Sequence, residues 1–327
     1  MVRFMARFSC DEGITMSIIG DCDRSLKKSC LQEYHRRITI MEMLIDQLSE
    51  VLGARITGVD LSQPFDDETW SQIQDAFHQY QLLLFRNQTF TPEQHIAFSR
   101  RFGALEIHVC EQYLLPESPE ILLLTNERDQ KGQRLSIADG GSGWHSDLSY
   151  MKRPSLGSLL HALRVPESGG DTEWACLYTA YETLPQETKK RVDGLKAIHQ
   201  FDQRFNHRLP SPDLRYRDEH SKELRALTPD VEHPVVRTHP VTGRKSLFVS
   251  LRFSIGIADM AEEGDELMDE LLAHLDQPHL THRHQWQQGD LMIWDNRCTN
   301  HRACGGVVEL PQVRRLHRTT IRGDIPY

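Results

Sequence analysis

The sequence has no apolar run approaching the ~20 residues that a membrane-spanning helix requires. Its opening stretch "MVRFMARFSCDEGITMSIIGDCDRS" is broken by Asp11, Glu12, Asp21 and Asp23. A secretory signal needs a continuous apolar core and a transit peptide has few acids, so both are disfavoured. Cysteine is sparse: Cys10, Cys22, Cys30, Cys110, Cys176, Cys298 and Cys304 are odd in number, scattered, and form no C-x-x-C. That disfavours a disulfide framework and a zinc knuckle, and it suits a reducing interior. Positive charge is in deficit, with 38 Lys and Arg against 47 Asp and Glu and a net charge of -9. No nucleic-acid or anionic-membrane partner is expected from that balance. Internal repeats and low-complexity tracts are missing too. What remains reads as a cytoplasmic chain of 327 residues, long enough to bury a sizeable core without staples.

Residues 1–37 show no clean period and read as a flexible extension, with Met16 or Met41 as alternative starts; the folded domain is expected over 38–327. From Asp66 the spacing Trp70, Ile73, Phe77, Tyr80 predicts a helix behind an Asp N-cap. "QLLLF" (81–85) then reads as a buried strand. "TPEQHIAFSRRFG" carries Thr91 as N-cap, Pro92 at the first helical position, Gln94 closing a capping box and Gly103 as the stop. Further on, "HPVVRTHPVTGRKSLFVS" predicts a hairpin, "GDELMDELLAHL" a helix with Leu267, Leu271 and Leu275 on one side, and "THRHQWQQGDLMIWDN" two strands about Gly289-Asp290. "RRLHRTTIRGD" predicts a last strand. Strands dominate the middle and end without strict βαβ alternation, so the expected class is mainly β with flanking helices, a jelly roll rather than a doubly wound sheet. The polar stretch 202–230, with Pro210, Pro212 and Pro229, reads as a long excursion: a mobile surface segment or a lid.

The run "GSGWHSDLSYM" (141–151) raises the chemical question. In an extended segment residues two apart face one side, so His145 and Asp147 can meet one ion while Ser146 points away. Alone the pair reads as readily as two polar residues at a sheet edge. A third ligand is offered by His301 in "DLMIWDNRCTNHRA". Two histidines and one carboxylate leave open positions that suit non-haem Fe(II) and O2, although catalytic zinc takes the same set. In the last strand Arg314, Leu316 and Arg318 recur at a spacing of two. Arginines turned inward need anions, so acidic ligands are implied. The glycine-rich "GGSG" (140–143) lacks the Lys-Ser/Thr ending of a phosphate loop and reads as a flexible approach to the pair. Trp144, Trp294, Phe253 and Tyr150 read as core or pocket wall, and His282 and His284 as solvated residues of an alternating strand.

Taken in order, "FGALEIH", "WHSDLSY", "PESGGDTEWACLYTAYETLP", "HPVVRTHPVTGRKSLFV", "WDNRCTNHRA" and "RRLHRTTIRGD" resemble the taurine dioxygenase and 2,4-dichlorophenoxyacetate dioxygenase family from about residue 38 to the end. The resemblance implies a double-stranded β-helix and dependence on Fe(II), 2-oxoglutarate and O2. It implies His145, Asp147 and His301 as iron ligands and catalytic residues, Arg314 with Thr172 as the 2-oxoglutarate site, and Arg318 and His108 as substrate-facing residues. The segment from His301 to Arg314 is a residue or two longer than the family's, which leaves Arg315 as the fallback for Arg314. The implied reaction hydroxylates a C–H bond of a small acidic substrate, such as a sulfonate, an alkyl sulfate or an aryloxyalkanoate, while 2-oxoglutarate becomes succinate and CO2. Family habit implies a homodimer or homotetramer. The alternatives are a zinc hydrolase, which has no need of a dicarboxylate site at Arg314 and Thr172, and a silent jelly-roll binding protein, against which the intact ligands count.

Overall fold

The computed structural model describes residues 43–136, 141–201, 206–208, 222–306 and 308–327. The expected extension over 1–37 lies outside them, as do residues 202–205 and 209–221 of the expected 202–230 excursion. The chain from Met43 to Tyr327 is one compact unit. Its strands in order are β1 (Leu44–Gln47), β2 (Ala54–Thr57), β3 (Leu82–Phe85), β4 (Leu105–Glu106), β5 (Leu114–Leu115), β6 (Ser118–Thr125), β7 (Ser155–Arg164), β8 (Asp171–Cys176) and β9 (Lys196–His199). There follow β10 (Val231–Pro234), β11 (Val236–Thr238), β12 (Lys245–Leu247), β13 (Ser254–Ile257), β14 (Thr281–His284), β15 (Leu291–Asp295), β16 (Thr299–Cys304) and β17 (Arg315–Arg322). The helices are α1 (Asp67–Tyr80), α2 (Pro92–Ser99), α3 (Leu177–Thr183), α4 (Gln186–Val192), α5 (Lys222–Leu227) and α6 (Glu262–Leu275). None is long and apolar enough to cross a membrane.

The large sheet runs β1-β2-β3-β15-β7-β17-β6-β5, and β14-β8-β16 form a small one. Period-two alternation sorts the large sheet's residues. Leu83, Phe85, Leu159, Leu291, Ile293 and Ile321 pack with Ile73 and Phe77 of α1 and Phe98 of α2. Their neighbours Leu82, Leu84, Leu160, Met292, Trp294 and Leu316 pack instead with Trp174 and Cys176 of the small sheet. Both faces are thus covered, which is why "LLLF" and "LMIW" are unbroken apolar runs. Two sheets facing across that second cluster make the expected jelly roll.

Both helix starts follow their sequence signals. Thr69 N–H donates to the Asp66 carboxylate at 2.8 Å, and Thr91 with Gln94 forms the reciprocal capping box. The hairpin pairs Val236 with Leu247, shorter than its sequence suggested because His233 and Pro234 belong to β10, which pairs with β9. His284 is a correction: it is 4% exposed and its Nε2 lies 2.8 Å from the Asp290 carboxylate. The alternation was real, but the side facing Asp290 is inside.

Between α2 and the large sheet lie three buried imidazoles, His95, His161 and His317. His95 and His161 have ring centroids 6.0 Å apart. Burial pulls His95 down to about 3 and His317 to about 4, and lowers His161. A depressed histidine pKa means the unfolded chain takes up protons first, so this stability is intact above about pH 6.5 and is lost as pH falls toward the folded values. Each such histidine adds a slope of up to ~1.4 kcal/mol per pH unit across that window. Urea titrations between pH 7 and 5 should show the fall, and His95→Phe should lessen the slope by about one histidine's share. An unchanged slope in that variant would show that His95 does not stay neutral in the fold.

Candidate active site

His145 is placed by the backbone of β16. Its N–H donates to His301 O at 3.0 Å and His301 N–H returns a bond to His145 O at 2.8 Å, extending the small sheet by one residue. The two rings have centroids 4.1 Å apart. Asp147 lies two residues on, while the Ser146 hydroxyl turns away and donates to Asn296 O. Leu148 then takes a positive φ of 57° and ends the extended segment. The ligand atoms of His145, Asp147 and His301 all lie within 4.8 Å of one another, and all three side chains are buried.

Electrostatics prepare these groups as donors. His145 Nδ1–H donates to Gly143 O at 2.8 Å, which leaves Nε2 with its lone pair. Burial lowers the pKa of His145 well below the usual range and that of His301 to about 4, so both are neutral near pH 7. His301 Nε2 is 3.9 Å from Asp147 Oδ2. Burial pushes the Asp147 carboxyl up, but the Arg318 guanidinium, helped by the Ser158 hydroxyl, pulls it down and the group stays ionised. Arg318 Nη1 donates to Oδ1 and the Ser158 hydroxyl to Oδ2, each at 2.7 Å. Two neutral imidazoles and one anchored carboxylate are a donor set that fits a divalent cation such as Fe(II).

Among the described residues His239, Asp295 and Cys298 show similar spacing, yet they are not free to ligate. Arg297 takes both Asp295 oxygens at 2.8 and 2.6 Å. His239 Nδ1 accepts from Val241 and Thr242 N–H, so its Nε2 carries the proton donated to Asp295. Burial raises the Cys298 thiol far above its ordinary value. This cluster ties down the turn between β15 and β16, upstream of His301.

His108, Arg318, His145 and Asp147 line one cavity. Its apolar lining includes Leu122, Leu124, Leu148, Tyr150, Phe201 and Phe253, so the expectation of pocket wall holds for Tyr150 and Phe253. Trp294 is core, with its ring centroid 4.8 Å from that of His301. His108 Nδ1 accepts from Cys110 N–H at 3.1 Å, which makes Nε2–H a donor; burial, then Arg318, lowers its pKa to about 3.

Thr172 and Arg314 are not among the residues lining that cavity; Arg314 packs against Gly170, two residues before Thr172. Thr172 pairs with Ala303 as Trp174 pairs with His301, so Thr172 and His301 share a face of the small sheet. Its hydroxyl accepts from Trp286 Nε1 at 3.0 Å. Arg314 Nε donates to Gly170 O at 2.9 Å, and burial lowers its guanidinium to about 10. Gly170 has φ 68°, and a Cβ there would meet Arg314 Cδ at 2.8 Å, so only glycine lets the arginine pass. Arg315 instead donates to the Glu127 carboxylate at 3.2 Å. The register shift against β7 between Arg315 and Leu316 places its extra residue, Leu163, on β7, while the pairing of β17 with β6 runs unshifted from Arg315 to Arg318; Arg314 lies one residue ahead of the strand.

Several contributors had no role in the sequence reading. Asn296 accepts from Asp147 N–H and donates to Ser155 and Ser158, so it sets the segment and the serine that hold the carboxylate. "WDN" was visible as a motif; Ser158 carried no local signal. The glycine run is also more than a flexible approach. Gly141 O accepts from Ala303 N–H, Gly143 O orients His145, and a Cβ on Gly141 would lie 3.1 Å from the His145 ring.

Comparison with known proteins agrees with this geometry. Residues 44–320 match the model of the "Taurine catabolism dioxygenase TauD, TfdA family". The (S)-phenoxypropionate/alpha-ketoglutarate-dioxygenase of Sphingobium herbicidovorans is 33% identical over 284 residues, 86% of this chain and 95% of that protein. An alkylsulfatase of Acinetobacter baylyi is 30% identical over 285 residues, 87% of this chain and 86% of its own length. The crystal structure of AAD-2 in complex with Mn(II) and N-oxalylglycine superposes with a TM-score of 0.71 at 30% identity, covering 88% of this chain and 99% of that one. With a family model matched along most of its length, and relatives similar over nearly their whole chains, this chain belongs to the TauD, TfdA family of dioxygenases.

Proposed function

We propose that this chain is an Fe(II)- and 2-oxoglutarate-dependent dioxygenase that hydroxylates a C–H bond of a small acidic organic substrate and releases succinate and CO2. The observation that carries the reading is the convergence of His145, Asp147 and His301 within 4.8 Å beside a cavity that presents Arg318. Ferrous iron, when bound, supplies the redox chemistry that couples O2 to 2-oxoglutarate. The rest is the work of this chain's own groups. His145 and His301 stay neutral through burial and offer nitrogen lone pairs. Asp147 is held ionised between Arg318 and Ser158. Arg314 is the candidate for the distal carboxylate of 2-oxoglutarate, with a forked donor that a lysine lacks, and the Thr172 hydroxyl assists. Arg318 and the His108 Nε2–H are candidates for the acid group of the substrate. The apolar lining excludes water and strengthens these contacts.

Sulfonates, alkyl sulfates and aryloxyalkanoates are the substrate classes to test, since relatives are named for phenoxypropionate and for alkyl sulfate cleavage. Full-length protein with Fe(II) and 2-oxoglutarate should release succinate, and at least one of taurine, alkyl sulfates and phenoxyacetates should raise that rate about tenfold or more. A protein whose Mn(II)-loaded form binds no 2-oxoglutarate would sink the reading.

A further inference from the structure

The cavity holds a second guanidinium. Arg252 lines it together with His145, Asp147 and Arg318, and is 8% exposed. The two arginines enter from different walls: Arg318 from β17 of the large sheet, Arg252 from the turn between β12 and β13. That turn is fixed in place. Arg252 N–H donates to Trp144 O at 3.1 Å, and Asn206 Nδ2 donates to Leu251 O and Arg252 O at 2.8 and 3.1 Å. Phe253, next in the chain, meets the His145 ring edge-on at 5.8 Å.

Arg318 meanwhile keeps capacity for a ligand. Its Nη1 is committed to Asp147, but its Nε is buried with no partner among the described residues. One inward arginine is complementary to a single acid group. Two forked cations on separate walls of an apolar cavity are complementary to a ligand charged in two places.

We propose that the prime substrate is a dianion with an apolar middle, one acid group received by Arg318 and the second by Arg252. This rests on the dioxygenase reading and specifies its substrate class. The test is calorimetric titration, without oxygen, of full-length protein loaded with Mn(II) and 2-oxoglutarate. Phenoxyacetate is compared with its 3- and 4-carboxy derivatives, and pentane-1-sulfonate with 5-sulfopentanoate. At least one diacid should bind tenfold or more tightly than the mono-acid of its skeleton. Arg252→Met should erase that advantage while the mono-acid and 2-oxoglutarate affinities stay within twofold. Diacids that bind no better than their mono-acids overturn the proposal. So does a methionine variant whose 2-oxoglutarate affinity falls instead, which would assign Arg252 to the cosubstrate. If that variant lacks a cooperative melt, Arg252→Lys carries the test: losing the fork should cut the diacid's advantage at least threefold, and an unchanged advantage overturns the assignment. Failure of the dioxygenase reading looks different, because 2-oxoglutarate itself then does not bind the Mn(II)-loaded protein.

Discussion

His301→Ala is expected to abolish substrate-dependent succinate formation and to weaken Mn(II) binding by more than ~100-fold. The scale follows from metal-site chemistry: loss of a partner that merely orients a ligand costs about 10–100-fold in affinity, and loss of a ligand costs more. The fold should survive. His301 is tied to its neighbours through backbone bonds to His145, which alanine keeps, and its Nδ1 makes no hydrogen bond among the described residues. Succinate measured by chromatography and Mn(II) measured by paramagnetic resonance therefore report on the metal site rather than on unfolding, provided the melting curve stays cooperative. His145→Ala should behave alike, since its Nδ1 is fixed by Gly143 and only Nε2 is available to a metal. Full activity in either variant would sink the assignment of His145, Asp147 and His301 as one metal site.

The sequence made local features legible wherever a local rule sets them. The Asp66 cap, the Thr91 capping box and the doubly buried strands β3 and β15 each follow from a few adjacent residues. His145-x-Asp147 is legible in the same way, because an extended backbone alone puts both side chains on one side. The support of Asp147 is not local. Ser158 lies 11 positions away and Asn296 149 away, and the contacts among them exist only after β7 and β15 pair. His284 fails for a related reason: alternation predicts two faces but not which one meets Asp290. Arg314 lies one residue ahead of β17, whose pairing with β6 runs unshifted from Arg315 to Arg318, so nothing breaks the count of two along that strand. The Arg314 side chain held against Gly170, with Arg315 held by Glu127, separates the two arginines that the sequence left as alternatives.

Arg318→Gln should lower kcat/KM for an acidic substrate by ~30-fold or more while the affinity for 2-oxoglutarate changes less than about threefold. Truncating one partner of a buried, hydrogen-bonded charge pair costs roughly 2–5 kcal/mol, and Arg318 is in such a pair already, at 2.7 Å from Asp147. The variant therefore removes two things at once: an anchor for the substrate and one of two hydrogen bonds on a candidate metal ligand. These separate by measurement. Loss of the anchor appears as weaker substrate binding to the Mn(II)- and 2-oxoglutarate-loaded protein, whereas loss of the bond to Asp147 appears as weaker Mn(II) binding with no substrate present. Arg318→Lys keeps the charge near Asp147 but not the fork, so it should recover more of the metal affinity than of the substrate affinity. Arg314→Gln is the counterpart and should do the reverse to the two organic ligands, raising the dissociation constant of 2-oxoglutarate while the metal stays bound. If 2-oxoglutarate binding collapses in the Arg318 variant and persists in the Arg314 variant, the two arginines hold each other's assigned ligands, and the cavity lined by Arg318 and His108 is the cosubstrate's.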